Sequence, residues 1–223
     1  TPGIWLSIPQ QKLRTLGSGQ IYFDNTGILS QIRERFNWYP NDVWLYLMAC
    51  QWRRINQEAP FVGRTGIVGD DLGSRLIAAR LIRDGMRLGF LMERSFAPYI
   101  KWFGTAFGQL RMSQALIPIF EKVLTRQGWK ERESALSEAY MILGEAHNKL
   151  RITASINPEI EYFHNRPFLV PPAGNYVDAL MASITDPAVL ALPPFIGSVD
   201  QFADSTDILE NTNQCRKLRV MFP

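Results

Sequence analysis

Residues Asn41–Leu110 read NDVWLYLMACQWRRINQEAPFVGRTGIVGDDLGSRLIAARLIRDGMRLGFLMERSFAPYIKWFGTAFGQL, and the rest of the chain is expected to be organised around this stretch. Asn41 and Asp42 begin its first helix, since their side-chain oxygens accept free backbone N–H groups and acid is favourable at the positive end of a helix. Apolar residues then recur at the spacing of one helix face as far as about Gln57. Pro60 cannot continue a helix, so the sequence predicts a long helix that ends before it.

A second long helix is predicted from Asp70-Asp71 to about Arg94. Between the two helices, the segment from Gly63 to Gly69 contains three glycines and one arginine, Arg64, and this predicts a flexible elbow. After Pro98 the aromatic segment up to Phe107 predicts a short helix.

Four arginines of the second helix, Arg80, Arg83, Arg87 and Arg94, share one face at 3.6 residues per turn. A guanidinium group can bind a phosphate or carboxylate through two parallel hydrogen bonds, so this face is a candidate anion-binding wall. The alternative is a solvated helix face whose charges pair within the helix, for example Arg80 with Asp84. Spacing alone leaves both interpretations open.

The N-terminal segment has a different character. Gln20–Phe23 is β-branched and aromatic and is followed by the turn-forming run Asp24–Gly27, which predicts a short strand. A single strand is not stable in water, so it must pair with residues 4–8 or with a domain upstream. The sequence therefore predicts a β segment or linker over residues 1–26 and a helical domain over residues 27–223.

Amphipathic patterns predict further helices over residues 115–127 and 130–151. From Thr153 onward, prolines and short polar runs predict an irregular C-terminal part, with Phe168–Val170 as a strand and several short helices. The expected fold is mainly α: a helical bundle with a short N-terminal β segment and an irregular C-terminal part.

Composition sets the broad class. The chain has 223 residues, 46% hydrophobic and 20% charged, with a net charge of +3. These are globular values, and the mild positive charge suits a small anion better than nucleic acid. Two cysteines favour a reduced, cytoplasmic chain, and no apolar run has the length of a membrane helix. The chain starts at Thr1, in what reads as the middle of a longer protein.

Several kinds of catalytic site are disfavoured by the residues present. The two histidines, His147 and His164, lie beside no nucleophile in a recognised turn, and two distant cysteines offer no zinc spacing. The glycine elbow lacks the Lys-Ser/Thr of a phosphate-binding loop. No metal ligands are therefore assigned in this chain.

Four further residues are candidates for binding a nucleotide or substrate. Arg64 and Lys101 extend the basic face, and Trp102 beside Lys101 offers a ring for stacking. His147, late in a long helix, is a candidate for a pocket lining. For the tryptophan and the histidine the alternatives are core packing and a favourable position at a helix C-terminus.

Long motifs resemble a known family. In chain order they are GQIYFDNTG, YPNDVWLYLMACQWRRINQEAPFVGR, GDDLGSRLIAARLIRDGMRL, APYIKWFGTAF, FHNRPF and IGSVDQFADSTDIL. Together they resemble a bacterial-type domain of unknown function that typically forms the C-terminal part of nucleotidyltransferase-fold proteins. Those proteins are distantly similar to the aminoglycoside and lincosamide nucleotidyltransferases.

The resemblance implies an upstream catalytic domain in which Gly-Ser and an Asp-x-Asp pair hold Mg²⁺ on a nucleoside triphosphate, which is transferred to a small-molecule hydroxyl. Gln20–Asp24 would then be the edge of that domain's sheet, with Asp24 as a candidate third carboxylate. Neither Gly17-Ser18 nor Gly197-Ser198 is followed by Asp-x-Asp at the required distance, so this chain lacks the metal-binding half.

The resulting expectation is a helical substrate- or nucleotide-binding region that is not active alone. Its site would be concave, lined by Arg83, Arg87 and Lys101, and open toward Asp24. An anionic small molecule or nucleotide is the expected partner, with Mg²⁺ and a nucleoside triphosphate implied only for a full-length enzyme. The alternative is a non-catalytic module that binds a protein or senses an anion, and a homodimer is left open.

Overall fold

The computed structural model describes residues 1–222. Its helices, in chain order, are α1 (Pro2–Ser7), α2 (Gln10–Gly17), α3 (Ile28–Arg35), α4 (Asn41–Glu58), α5 (Phe61–Ile67), α6 (Asp71–Met92), α7 (Ile100–Phe107), α8 (Ser113–Thr125), α9 (Trp129–Lys149), α10 (Ala173–Ala182), α11 (Pro187–Leu190), α12 (Val199–Phe202), α13 (Thr206–Glu210) and α14 (Thr212–Lys217). A 3₁₀ turn, Leu218–Met221, follows the last helix. The expected mainly-α fold is confirmed.

Helix α4 is the centre of the bundle. Every residue from Val43 to Trp52 is buried, so this helix is covered on all sides rather than along one stripe. It packs against α6 and α10, while α6 also packs against α5, α8 and α9. The indole Nε1 of Trp44 donates to the Leu91 carbonyl at 2.8 Å and ties α4 to the end of α6.

The sequence predicts α4 and α6 well. Both helices begin where predicted, and they end within two residues of the predicted positions. Asp70 accepts from the backbone N–H of Gly73 at 2.8 Å and so caps α6 at its start. Helix α6 stops at Met92, and Arg94 lies beyond it with a φ of 50°, which removes this arginine from the helical stripe.

The predicted N-terminal strand is wrong. Residues 20–24 are irregular, and the side chains of Tyr22 and Phe23 are 91% and 82% exposed. Residues 4–7, part of the first suggested pairing partner, form helix α1, so they offer this segment no strand edge. The boundary predicted after residue 26 stays a prediction, but Leu6 and Leu13 are buried in the same hydrophobic core as α4.

The sheet of the described chain lies in the C-terminal half instead. Strands β1 (Glu161–Tyr162) and β2 (Leu169–Val170) form an antiparallel pair in which Glu161 lies opposite Val170. The strand predicted at Phe168–Val170 is thus confirmed, apart from its first residue. The irregular C-terminal part, with its succession of short helices from α11 onward, is also confirmed.

The predicted flexible elbow is wrong as well, because residues 61–67 form helix α5. Its glycines are required by packing rather than by mobility. A Cβ at Gly63 would collide with the ring of Phe168, and a Cβ at Gly66 would collide with Trp129. Glycine therefore allows α5 to approach the start of α9 and strand β2 closely.

Candidate functional site

Two neighbouring cavities lie beside α6. The first, called the arginine cavity, has a volume of about 200 Å³, and the second, called the aromatic cavity, about 340 Å³. The arginine cavity is lined by Arg54, Arg80, Arg83, Asp84, Arg87, Gln201, Phe202, Ala203 and Asp204. The aromatic cavity is lined by Pro9, Gln11, Lys12, Thr15, Arg83, Arg87, Pro98, Tyr99, Ile100, Phe103, Asp200, Asp204, Thr206, Leu209 and Glu210. Three residues, Arg83, Arg87 and Asp204, line both cavities and therefore lie between them.

Arg83 is held by an ion pair with two hydrogen bonds. Its Nη1 and Nη2 donate to the two carboxylate oxygens of Asp204 at 3.0 and 2.8 Å. This hydrogen bonding raises the pKa of Arg83 and lowers the pKa of Asp204. The pair joins α6 to the segment between α12 and α13, and it shows that Arg83 is oriented to bind a planar oxyanion.

Among the four arginines that line the arginine cavity, Arg87 is the one without a bonded partner in the described residues. Its partly buried guanidinium makes no side-chain hydrogen bond or ion pair with any residue from 1 to 222, and its Cζ lies 5.5 Å from the ring centroid of Phe103. Burial lowers its pKa, and the nearby charge of Asp200 partly opposes that effect. The guanidinium nitrogens of Arg87 still reach solvent, but a partly desolvated cation without a bonded partner in the chain favours an added anion.

A buried polar network forms the floor of the arginine cavity. The Oδ1 atom of Asp84 accepts from Gln51 Nε2 at 2.9 Å and from Arg54 Nε at 3.2 Å. Gln201 Nε2 donates to Gln51 Oε1 at 3.0 Å, which fastens α12 onto α4. The second oxygen of Asp84, Oδ2, is buried and has no hydrogen-bond partner among the described residues. The floor is therefore ordered but not fully satisfied.

Arg80 lies at the rim of the arginine cavity. Its Nη2 is 2.9 Å from Glu58 Oε1 on α4, and its side chain is 55% exposed. Desolvation raises the pKa of Glu58, and the charge of Arg80 acts against that rise. The Arg80–Asp84 pair expected within the helix is not formed, because Asp84 turns toward Arg54 instead. The arginine face pairs across helices rather than along one.

Asp200 is a partly buried carboxylate that lines the aromatic cavity. Its Oδ2 accepts from the backbone N–H of Gln10 at the start of α2, at 2.9 Å. Burial raises the pKa of Asp200, while Arg87 and the hydrogen bond from Gln10 act in the opposite direction. Around it, the side chains of Ile100, Phe103 and Leu209 supply apolar surface. This cavity therefore suits a less charged, partly apolar group.

Three of the residues expected in the site, Arg80, Arg83 and Arg87, are brought together by α6 in the arginine cavity. Asp24 is not with them: its carboxylate accepts from the Ser30 backbone N–H and hydroxyl, each at 2.8 Å. These bonds satisfy the start of α3 and lower the pKa of Asp24. The expected opening of the site toward Asp24 therefore has no counterpart in this geometry.

Arg64, Lys101 and Trp102 line neither cavity. Arg64 is exposed on α5 and lies over the ring of Phe61, with Cζ 5.4 Å from the centroid. Lys101 is exposed in the first turn of α7, with Nζ 5.3 Å from the ring centroid of Trp102. Trp102 lines a separate groove of about 250 Å³ together with Arg14 and Gln11.

His147 is also distant from both cavities and is fully buried. Its Nδ1 accepts from the indole of Trp52 at 3.2 Å, and its Nε2 lies 3.2 Å from the hydroxyl of Thr153. Since that hydroxyl donates to the Ala154 carbonyl, Nε2 carries the proton. Burial lowers the pKa of His147 to about 4, which keeps the ring neutral. Both ring nitrogens of His147 are hydrogen-bonded within the chain, so the geometry does not support a role for this residue in ligand binding.

Three carboxylates of the site, Asp84, Asp200 and Asp204, are not predicted as site residues from the sequence. The sequence predicts Asp84 only as the ion-pair partner of Arg80 within the helix. A carboxylate inside an apolar helical pattern nevertheless indicates a buried polar contact. Asp200 and Asp204 look like ordinary cap and turn residues. Their hydrogen-bond partners, Gln10 and Arg83, lie far away in the chain, so no local pattern indicates these contacts.

The part of the chain that the structure describes contains neither a cluster of metal-ligating side chains nor a membrane-spanning helix. Across residues 1–222 no group of three or more His, Cys, Asp or Glu side chains is placed to hold a metal ion. Within the same range, each helix is too short or too polar to span a bilayer.

Comparison with known proteins gives one result. No curated protein and no solved structure matches the chain significantly. Residues 5–103, less than half of the chain, match a family described as "Domain of unknown function (DUF4037)". The matched part includes the arginines of α4 and α6 but not Asp200, Gln201 or Asp204, which form the opposite wall of the two cavities.

Proposed function

We propose that this chain is the helical ligand-binding region of a nucleotidyltransferase-type protein, and that the arginine cavity binds the phosphate of a nucleotide or another anionic substrate. The observation that carries the proposal is Arg87, a partly buried guanidinium that lies between the two cavities and has no bonded partner among the described residues. Four arginines and two carboxylates line the arginine cavity, which leaves an excess of positive charge for a ligand to neutralise.

A phosphate fits this arrangement for a physical reason. Desolvated guanidinium groups form strong charge-assisted hydrogen bonds with phosphate oxygens, and each bond recovers part of the free energy lost when the arginine was buried. The aromatic cavity beside the arginine cavity supplies apolar surface for the rest of the ligand.

The described residues do not provide a site for Mg²⁺. Asp200 and Asp204 line the aromatic cavity, but each is engaged, one by the Gln10 backbone and the other by Arg83. When bound to a nucleoside triphosphate, Mg²⁺ supplies charge neutralisation of the phosphates. In the proposed full-length protein its carboxylate ligands lie outside this chain, where nucleotidyl transfer to a small-molecule hydroxyl takes place.

Isothermal titration with each of the four nucleoside triphosphates, with and without Mg²⁺, tests the proposal. We expect at least one of them to bind, and Arg87→Met to weaken that binding about tenfold or more, because a charge-assisted contact is lost. The matched control is Arg64→Met, which removes an exposed arginine of α5 and should leave the affinity within about twofold. Equal effects of the two substitutions, or no binding in the wild-type chain, would contradict the proposal.

A second candidate function, a protein-interaction module, is favoured by the surface around α3. No residue of this helix is buried, and its apolar side chains Ile28, Leu29 and Ile32 are 57%, 40% and 40% exposed. Tyr22 and Phe23, in the irregular segment before α3, are exposed as well. Contiguous exposed apolar side chains of this kind mark surfaces that contact other proteins.

Sedimentation over a range of protein concentrations tests this candidate. If the surface mediates self-association into a homodimer, the mass will rise with concentration, and Ile32→Asp will abolish the rise. Leu72→Asp is the control, since Leu72 is 69% exposed on α6 away from this surface. A chain that stays monomeric at all concentrations would count against a homodimer built on this surface.

A further inference from the structure

Asp204 binds Arg83 in the way that the anionic group of a ligand would. Its carboxylate receives two hydrogen bonds from Arg83, at 3.0 and 2.8 Å, in the parallel geometry that arginine uses for phosphates and carboxylates. It also lines both the arginine cavity and the aromatic cavity. An incoming oxyanion would find the two donors of Arg83 already occupied by this side chain.

The Asp204 contact is weakly anchored. The side chain of Asp204 is 74% exposed, and exposed ion pairs contribute little to stability. Arg83 makes the only side-chain hydrogen bonds and ion pair of Asp204 within residues 1–222. The carboxylate is therefore free to leave Arg83 without breaking any other side-chain contact.

The adjoining helix, in contrast, is fixed. Gln201 of α12 is buried, and its Nε2 donates to the Leu47 carbonyl at 3.1 Å and to Gln51 at 3.0 Å. Val199 is fully buried beside it. Asp204 can therefore move away from Arg83 without disturbing α12, because it lies in the short segment between α12 and α13, residues 203–205.

We propose that Asp204 is an internal competitor that the anionic group of the ligand displaces from Arg83, and that its departure joins the two cavities into one binding site. This inference rests on the proposed function and deepens it. The ligand class is a small molecule with an oxyanion head and a partly apolar body, to which phosphorylated nucleosides belong.

The two cavities support this division of the ligand. The arginine cavity of about 200 Å³ holds Arg54 and Arg80 as well as the shared arginines, which suits the head. The aromatic cavity of about 340 Å³ presents Phe103, Ile100 and Leu209, which suits the body. Since Arg83, Arg87 and Asp204 lie between them, a ligand that spans both must pass the position that Asp204 now holds.

The test compares Asp204→Asn with Asp207→Asn. Both substitutions remove one exposed carboxylate from neighbouring positions, so they change the net charge equally, but Asp207 lines neither cavity. Titration calorimetry would use inorganic pyrophosphate, malonate, the nucleoside triphosphates and an unphosphorylated nucleoside as probes. Thermal unfolding of both variants checks that neither substitution disturbs the fold.

We expect Asp204→Asn to bind the triphosphates and pyrophosphate about two- to fivefold more tightly than the wild-type chain, because an exposed ion pair no longer competes. Asp207→Asn should match the wild-type affinity, and the nucleoside should bind equally to all three proteins. Pyrophosphate and malonate distinguish a phosphate head from a carboxylate head. A triphosphate that binds no more tightly than pyrophosphate would overturn the joined site.

The outcomes separate this inference from the proposed function. If the wild-type chain binds a triphosphate and Asp204→Asn binds it equally or more weakly, the displacement is overturned while the proposed function stands. If Asp207→Asn strengthens binding as much as Asp204→Asn does, the effect is one of net charge and the displacement is again overturned. Absence of binding by all the proteins would overturn both.

Discussion

The two sides of helix α4 carry polar groups in two different conditions. On one side, Trp52 donates to His147, whose other nitrogen is bonded to Thr153, so every polar atom of the histidine ring has a partner. On the other side, the buried Oδ2 of Asp84 and the guanidinium of Arg87 have none among the described residues. The histidine ring is thus satisfied without a ligand, although the neighbouring buried hydroxyl of Tyr176 has no hydrogen-bond partner among the described residues. The second region presents its unpaired groups beside a cavity, where a ligand can reach them. This contrast distinguishes a structural polar cluster from a candidate binding site.

Replacement of Trp52, on the His147 side of α4, should cost more stability than any other substitution considered. Trp52 is fully buried and stacks on Tyr176 with ring centroids 4.4 Å apart. Trp52→Ala should lower the free energy of unfolding by about 3–5 kcal/mol, because it leaves a cavity and an unpaired His147 nitrogen. Urea denaturation measures the loss. Trp102→Ala is the control, since Trp102 is 51% exposed and its removal should cost less than about 0.5 kcal/mol.

Two arginines, one with hydrogen-bonded partners and one without, should differ in how much their replacement changes stability. Arg132 is buried, and its Nη1 donates to the carbonyls of Arg126 and Gln127 at 3.0 and 2.8 Å. Arg132→Met should therefore lower the free energy of unfolding by about 3 kcal/mol. Arg87→Met removes a charge without a bonded partner, so we expect stability to be unchanged or about 1 kcal/mol higher. A loss at Arg87 as large as that at Arg132 would remove the basis of the contrast.

The pH dependence of stability offers a third test, in which two buried groups act in opposite directions. Burial lowers the pKa of His147 from 6.5 to about 4, so its contribution to stability is present above pH 6.5 and is lost as the pH falls toward 4. Burial raises the pKa of Glu133 from 4.5 to about 7, so its contribution is present below pH 4.5 and is lost as the pH rises toward 7. Each effect amounts to about 2–3 kcal/mol.

Because the two contributions nearly cancel between pH 4.5 and 6.5, only single variants reveal them. In this range the stability of His147→Gln, relative to the wild-type chain, should fall as pH rises, while that of Glu133→Gln should rise. His164→Gln and Glu131→Gln change exposed residues and serve as the matched controls. Chemical denaturation at several pH values measures the slopes. Parallel curves for all variants would show that neither group is held in the stated protonation state.

The smallest expected effects concern the exposed cations outside the cavities. Lys101→Ala should change nucleotide affinity by less than about twofold and stability by less than about 0.5 kcal/mol, because Lys101 is exposed and lines neither cavity. Calorimetry with the triphosphate that binds measures the first quantity. A loss comparable to that of Arg87→Met would return Lys101 to the site where the sequence pattern had placed it.

Local patterns predicted the helices well and the contacts of the site only in part. The ends of α4 and α6 follow from caps and prolines, and the arginine stripe correctly indicated that Arg80, Arg83 and Arg87 share a face. The strand expected at residues 20–24 failed because a strand depends on a partner edge, which no local pattern reveals. The glycines of α5 predict a flexible segment, but they are required by close packing against Phe168 and Trp129. Because those residues lie in distant segments, no local pattern indicates this packing.

A mainly helical bundle with cationic side chains along one helix follows from local patterns, since helix period and capping are local properties. Which of those cations have a partner depends on contacts between distant segments. Arg80 meets Glu58 and Arg83 meets Asp204, while Arg87 receives no bonded partner within the described chain. Charge pairing depends on distance in space rather than on position in the chain, so the sequence alone does not reveal which of these arginines is left for a ligand.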